Sequence, residues 1–174
     1  MNNFVNGTQQ ETIIKWNIDR GLTELNPDLE VKMLTEERRE FWLADTMEHK
    51  LQEFCDFLFV GVGSEFKMNI RTFNSLPLLN ESYEDLDAIL YLAHDTSAMY
   101  ESLKVYAQKQ KWNLFNKLEH VIKYAFNIVI RTNNRKPVIK DDSGKIIKGA
   151  DHIDPITEIK EMLDGLTNTP RSRV

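Results

Sequence analysis

The sequence predicts an all-α fold, an antiparallel helical bundle with a small C-terminal hairpin. Three observations carry that expectation. Glycine and proline are sparse, 7 and 5 of 174 residues, while Leu, Glu and Lys are abundant, and these are good helix formers. Helix-start signals recur, first Thr8 with Glu11 and then Asn26 before Pro27. Apolar residues return at helical spacing through most of the chain and change period only near residue 137.

Taken in order, Thr8 and Glu11 form a capping box for a first helix running to about Gly21. Asn26 is an N-cap with Pro27 in the first helical position, and Asp28 and Glu30 sit in the first turn, where the helix dipole favours acids. This second helix is expected to reach about Ala44. Asp45 or Thr46 caps a third, ending near Gly61 and Gly63, and 64–81 reads as a connection broken by Pro77 and Asn80. Ser82 and Asp85 open a fourth helical stretch, interrupted near 94–96 and resuming to about Lys111. A further helix fits Asn113 to Arg131. Val138-Ile139 and Ile146-Ile147 flank Asp141-Asp142-Ser143-Gly144, the pattern of a hairpin over about 137–149. Pro155 starts a last helix to about Leu163. Residues 1–166 are thus expected to form one domain, with a disordered tail over 167–174.

Composition narrows the function classes. With 22 Lys+Arg against 27 Asp+Glu the net charge is −5, which argues against general affinity for nucleic acid or anionic membrane. A 41% hydrophobic and 28% charged chain is that of a globular protein. The longest apolar run, near Phe54 to Val62, is too short to span a bilayer and is interrupted by Asp56. The first residues show no secretion signal, so a cytoplasmic location is expected. The one cysteine, Cys55, excludes an internal disulfide and a zinc ribbon.

The informative residues are carboxylates. On a wheel of ~100° per residue, Met33, Glu37, Glu40 and Ala44 lie within ~60° of one another, with Leu29 beside them and Glu36 at the border. The acids therefore share the face that the apolar residues mark as inward. Glu53 and Asp56 repeat the anomaly in a segment that is apolar almost all round. An ionised carboxylate buried without a partner is costly; it pairs, binds a cation or becomes neutral. Arg38, Arg39 and Lys50 point elsewhere, and one hard divalent cation answers several carboxylates at once. An oxygen-only donor set favours Mg²⁺ or Mn²⁺ over zinc. Glu37-x-x-Glu40 and Glu53-x-x-Asp56 each place two acids one turn apart, and a short connection makes their helices antiparallel neighbours. Such a cage suits a metal-bound polyphosphate, with one acid free to act as general base.

The segment Leu34-Thr-Glu36-Glu37-Arg-Arg-Glu40-Phe41 followed by Glu53-Phe-Cys-Asp56-Phe-Leu-Phe-Val-Gly61 resembles the all-α nucleoside triphosphate pyrophosphohydrolases of MazG-like and phosphoribosyl-ATP pyrophosphohydrolase-like type. Gly144-Lys145-Ile146-Ile147-Lys148-Gly149, with Pro155 beyond, is similar to the GKVLKG…P element of phage-type members. Trp16 and Arg20 are similar to the W-x-x-x-R entry of some of them. The resemblance covers roughly residues 12–63 and 120–155. It implies hydrolysis of a (deoxy)nucleoside triphosphate to monophosphate and pyrophosphate. It also implies a catalytic metal cage of Glu37, Glu40, Glu53 and Asp56, assisted by Glu36. Substrate contacts would come from Asn127, Lys145 and Lys148, and from Trp16 against the base. Where the family often carries a lysine three residues after the asparagine, this chain has Ile130 with Arg131 adjacent, so Arg131 joins the phosphate contacts. A homodimer or homotetramer is implied as well. Residues 64–112 are longer than the usual link and add a helix.

Rival readings are open on the residues. His94-Asp95, with His49 upstream, partly matches the HD-type metal phosphohydrolases, but no suitable last aspartate lies on a helix, and Asp-Thr-Ser is ordinary capping chemistry. A di-iron carboxylate protein is set aside because no histidine follows a glutamate by three residues. Cys55 falls on an apolar face, the usual place for an inert cysteine. A non-enzymatic helical interaction protein is the remaining alternative, and it predicts tolerance of amide substitutions at the acids.

Overall fold

The computed structural model describes residues 4–74, 95–110, 112–142, 144–147, 149 and 153–168. Within them the chain is all-α: α1 Gly7–Asp19, α2 Pro27–Leu43, α3 Met47–Asn74, α4 Thr96–Gln110, the short α5 Trp112–Phe115, α6 Leu118–Asn134 and α7 Ile156–Asn168. None of these helices is long and apolar enough to cross a membrane.

The first helix starts earlier than Thr8 and Glu11 suggest. Asn6 is the N-cap; its side chain accepts from the Gln9 amide at 2.9 Å and Gln9 returns a bond to the Asn6 amide at 3.0 Å. Asn-x-x-Gln does the work of the Thr-x-x-Glu pair because any short side-chain oxygen at the cap can reach the third amide. At its other end Leu22 N–H bonds Asn17 C=O at 2.8 Å and Gly21 N–H bonds Ile18 C=O at 3.0 Å. That six-to-one, five-to-two pair needs a left-handed residue, and Gly21 at φ 62° supplies it.

The second helix begins as the sequence predicts. Asn26 accepts from the Leu29 amide at 3.2 Å and Ala44 forms the C-cap. The third does not stop at its glycines but runs 28 residues from Met47 to Asn74, so residues 64–74 are helix rather than connection. Glycine weakens a helix by only about 1 kcal/mol, and here burial outweighs that: Gly63 is held against Asn17, whose Nδ2 would lie 3.2 Å from a Cβ at that position. A backbone this close to α1 is the reason a glycine sits in α3.

Helix α3 is the central rod, in contact with α1, α2, α4, α6 and α7. Leu51, Phe54, Cys55, Phe57 and Leu58 are all fully buried, which explains an apolar pattern that surrounds the wheel. Its antiparallel pairing with α2 is visible at both ends. Lys50 Nζ donates to the Phe41 carbonyl at 3.1 Å near the turn, and Ser64 and Lys67 bond Glu30 at the far end. Phe41, Leu34, Met99, Leu103, Ile122, Phe126 and Val129 complete the core around it.

Three other expectations are corrected. The helix expected over Asn113 to Arg131 is divided into α5 and α6, with Lys117 at the break making no side-chain cap, and α6 extends to Asn134. The hairpin is present but reduced to one antiparallel bridge, Lys140 with Ile146, closed by Asp141 N–H to Lys145 C=O at 2.9 Å, with Gly144 at φ 87° in the turn. The last helix reaches Asn168, beyond Leu163 and into the stretch expected to be tail. The start of the fourth helical stretch, before residue 95, and the remaining tail lie outside the described residues.

The cap assignment is testable. Asn6→Ala removes a real N-cap and should cost about 1 kcal/mol in urea denaturation. Glu11→Ala, on an exposed helix face, should change stability by less than about 0.5 kcal/mol.

Candidate functional site

The antiparallel turn between α2 and α3 sets Glu37 and Glu40 opposite Glu53 and Asp56. One carboxylate oxygen from each of Glu37, Glu40 and Glu53 lies within 4.8 Å of the others. Asp56 is close enough to be the strongest single charge acting on Glu37. Glu37, Glu53 and Asp56 are half-buried and Glu40 is exposed, so the cluster is open to solvent on the Glu40 side.

Like charges at this spacing leave a signature. Burial first, then the charges of Asp56, Glu40 and Glu53, push the Glu37 carboxyl up to about 9, and Lys145 offsets only part of that. The cluster by itself is therefore a site of unfavourable charge. The donor set is all oxygen, with no histidine or cysteine among its members, a chemistry that favours a hard divalent cation over zinc.

The bridge-closed turn after α6 comes back over this cluster. Lys145 Nζ donates to Glu36 Oε2 at 2.6 Å. Burial alone would lower the Lys145 ammonium, but its bond to Glu36 and the charges of Glu36, Glu37 and Glu40 outweigh it and hold the group above the ordinary lysine value. Glu36 thus faces the hairpin lysine at the border of the cluster.

Next to the carboxylates is a cavity of about 100 Å³, between α1, α2, α3 and the hairpin. Glu37, Asp56 and Lys145 line it at one side, and Trp16, Met33 and Phe59 contribute apolar wall. Trp16 is buried, its Nε1 donates to the Asn133 carbonyl at 3.0 Å, and Phe59 meets it edge-on with centroids 5.1 Å apart. Its ring is also covered by the Arg20 guanidinium at 4.4 Å. Trp16 is therefore both core and cavity wall, two roles that wheel position alone does not separate.

The structure brings Glu36, Glu37, Glu40, Glu53, Asp56, Lys145 and Trp16 together. It sets two expected substrate contacts apart. Asn127 accepts from Gln9 Nε2 at 2.8 Å, Arg131 pairs with Glu158 on α7, and both line a separate shallow concavity between α6 and α7. Lys148 lies outside the described residues. The asparagine beside the acids is instead Asn133, whose Nδ2 donates to Asp56 Oδ1 at 3.4 Å. Asn133 is 4% exposed near the end of an apolar helix. Its sequence signal is weak, because a helix expected to end at Arg131 leaves Asn133 outside it, whereas the helix runs to Asn134.

Of the rival sites, Asp95 is in an ion pair with Arg38, His49 is half-exposed beside Asp45, and His94 lies outside the described residues. Cys55 is fully buried, and that burial pushes its thiol well up, so it is no nucleophile.

The Glu37 shift predicts a pH effect on the metal-free protein. A carboxyl that titrates near 9 when folded and near 4.5 when unfolded binds its proton more tightly in the folded state. Its contribution to stability is complete below about 4.5 and is lost as pH rises through about 9. With chelator present, the melting temperature should fall across that interval, and Glu37→Gln should flatten the decline. No known protein family, curated protein or solved structure matches this chain.

Proposed function

We propose that this protein is a metal-dependent nucleoside triphosphate pyrophosphohydrolase of the MazG-like all-α type. It would convert a (deoxy)nucleoside triphosphate and water to the monophosphate and pyrophosphate. The observation that carries the reading is the convergence of Glu37, Glu40 and Glu53 to within 4.8 Å, with Asp56 beside them, at the mouth of a cavity. Four acids held on a facing helix pair at unfavourable mutual charge are hard to explain as packing or as solubility.

Glu37, Glu40, Glu53 and Asp56 would hold Mg²⁺ or Mn²⁺, and Glu36 borders them. Such an ion, when bound, offsets phosphate charge and lowers the pKa of a coordinated water. The rest is done by the chain. Asn133 orients Asp56 through their hydrogen bond. Lys145, now on Glu36 at 2.6 Å, is placed to turn toward a polyphosphate that enters beside Glu37. Trp16, Phe59 and Met33 give the nucleoside an apolar surface. An acid of the cluster not committed to metal would take the proton of the attacking water.

Pyrophosphate release from a panel of ribo- and deoxyribonucleoside triphosphates, with Mg²⁺ and with chelator, tests the reading. Metal-dependent release with monophosphate as co-product is the expected result. Glu40→Gln and Asp56→Asn should each lower turnover by at least about 100-fold, more than loss of an outer-shell partner, with melting temperature unchanged or raised. Full activity in both variants would remove the cage. Release of inorganic triphosphate instead would move the chemistry to His94 and Asp95. The homodimer or homotetramer implied by the resemblance belongs to the same reading, and a clean monomer by light scattering at micromolar concentration would remove that part alone.

A further inference from the structure

The cavity also reaches a buried ion pair that the metal chemistry does not use. Glu30 is 1% exposed and Lys67 5%, and both line the cavity. Lys67 Nζ lies 2.5 Å from Glu30 Oε1, and Ser64 Oγ donates to Glu30 Oε2 at 2.6 Å. A buried ion pair is weak evidence for a stabilising role, because apolar residues of similar volume often serve as well. Its place on a cavity wall gives it something to act on.

The chemistry of the two partners differs. Both Glu30 oxygens are occupied, by Ser64 and Lys67. An ammonium has more N–H donors than the one Glu30 uses, and no other described residue takes the rest. The wall therefore presents a donor whose charge is already balanced. That suits a neutral acceptor such as a carbonyl oxygen better than it suits a phosphate, which would meet Glu30 as well. Leu29, Met33, Phe59 and Val60 flank the pair and the acids with apolar surface, as a flat heterocycle requires. Glu30 precedes Glu37 by seven positions on α2, roughly 10 Å of helix rise, comparable to the reach from an α-phosphate to the outer edge of a base.

We propose that Lys67, held by Glu30 and Ser64, is a specificity-determining residue that donates a hydrogen bond to the exocyclic oxo group at C4 of a pyrimidine or C6 of a purine base. Bases bearing that group, such as uracil, thymine, guanine and hypoxanthine, are selected over cytosine and adenine. An amino group in the same position sets N–H against N–H and leaves buried donors unpaired, so rejection comes from repulsion as much as from lost attraction. This rests on the pyrophosphohydrolase reading above, whose cage fixes which end of the nucleotide enters where.

The test compares uracil with cytosine in two assays on the full chain. One is kcat/KM for UTP and CTP with Mg²⁺, and the other is equilibrium binding of UMP and CMP by calorimetry. The expected preference for uracil is at least about 10-fold in both. The double variant Glu30→Gln/Lys67→Met, which removes both charges at similar volume, should keep its melting temperature and lose the preference to within about 2-fold. Should it fail to fold, Ser64→Ala serves instead: it frees one Glu30 oxygen to accept from an amino group and should narrow the preference. Equal handling of both bases by the parent protein, a preference that survives these substitutions, or no binding of either monophosphate overturns the proposal. Turnover without base preference overturns it while leaving pyrophosphohydrolysis in place. A Lys67-dependent preference in binding without any turnover supports Lys67 and overturns pyrophosphohydrolysis instead.

Discussion

The described part of this molecule is arranged around two helices that carry the same charge on the faces they turn toward each other. Glu37 and Glu40 on α2 meet Glu53 and Asp56 on α3, and burial, together with the resulting repulsion, holds a proton on Glu37 far above the usual carboxylate range. Helices do not stay paired in that way unless something else holds them. What holds them is the apolar packing immediately behind the acids. Leu34 and Phe41 of α2 meet Leu51, Phe54 and Leu58 of α3, all fully buried, and each such side chain contributes roughly 1.5–3 kcal/mol by leaving water.

The two ends of the pair are closed by polar devices of a different kind. At the turn, Lys50 reaches the Phe41 carbonyl and lies against its ring at 4.9 Å. At the far end the Glu30–Ser64–Lys67 group joins the helices through short bonds sheltered from water. Between those closures Lys145 offsets part of the charge that acts on Glu37, and Asn133 donates to Asp56. The site is thus a locally unfavourable patch supported by a favourable frame, which is what the proposed metal cage would need to stay in place.

How much of this was legible in the sequence depends on the kind of signal. The helical class and the α2 start at Asn26-Pro27 followed from local chemistry, and the wheel brought the acids to one cluster, although Glu40 on the expected inward stripe is exposed. Features set by distant contacts were not legible. Gly61 and Gly63 look like a stop signal because nothing local shows that α1 lies against α3 there. Glu30 looks like a first-turn acid answering the helix dipole, since its partner Lys67 is thirty-seven positions away. Asn127 is marked by motif position and Asn133 by nothing local, yet the course of α6 past Arg131 puts Asn133 beside Asp56 and turns Asn127 toward Gln9.

The uninterrupted run of α3 past its glycines has a further consequence. Because Asp56 and Lys67 stand on one rigid rod, the distance between the carboxylate cluster and the buried ammonium is counted in residues. A single inserted or deleted residue between them would turn one relative to the other by ~100° and shift it by ~1.5 Å. Chain length in this stretch is therefore closed to variation, and a change in what the cavity accepts has to come through side-chain replacement at fixed register, with Gly63 constrained by the passage of α1.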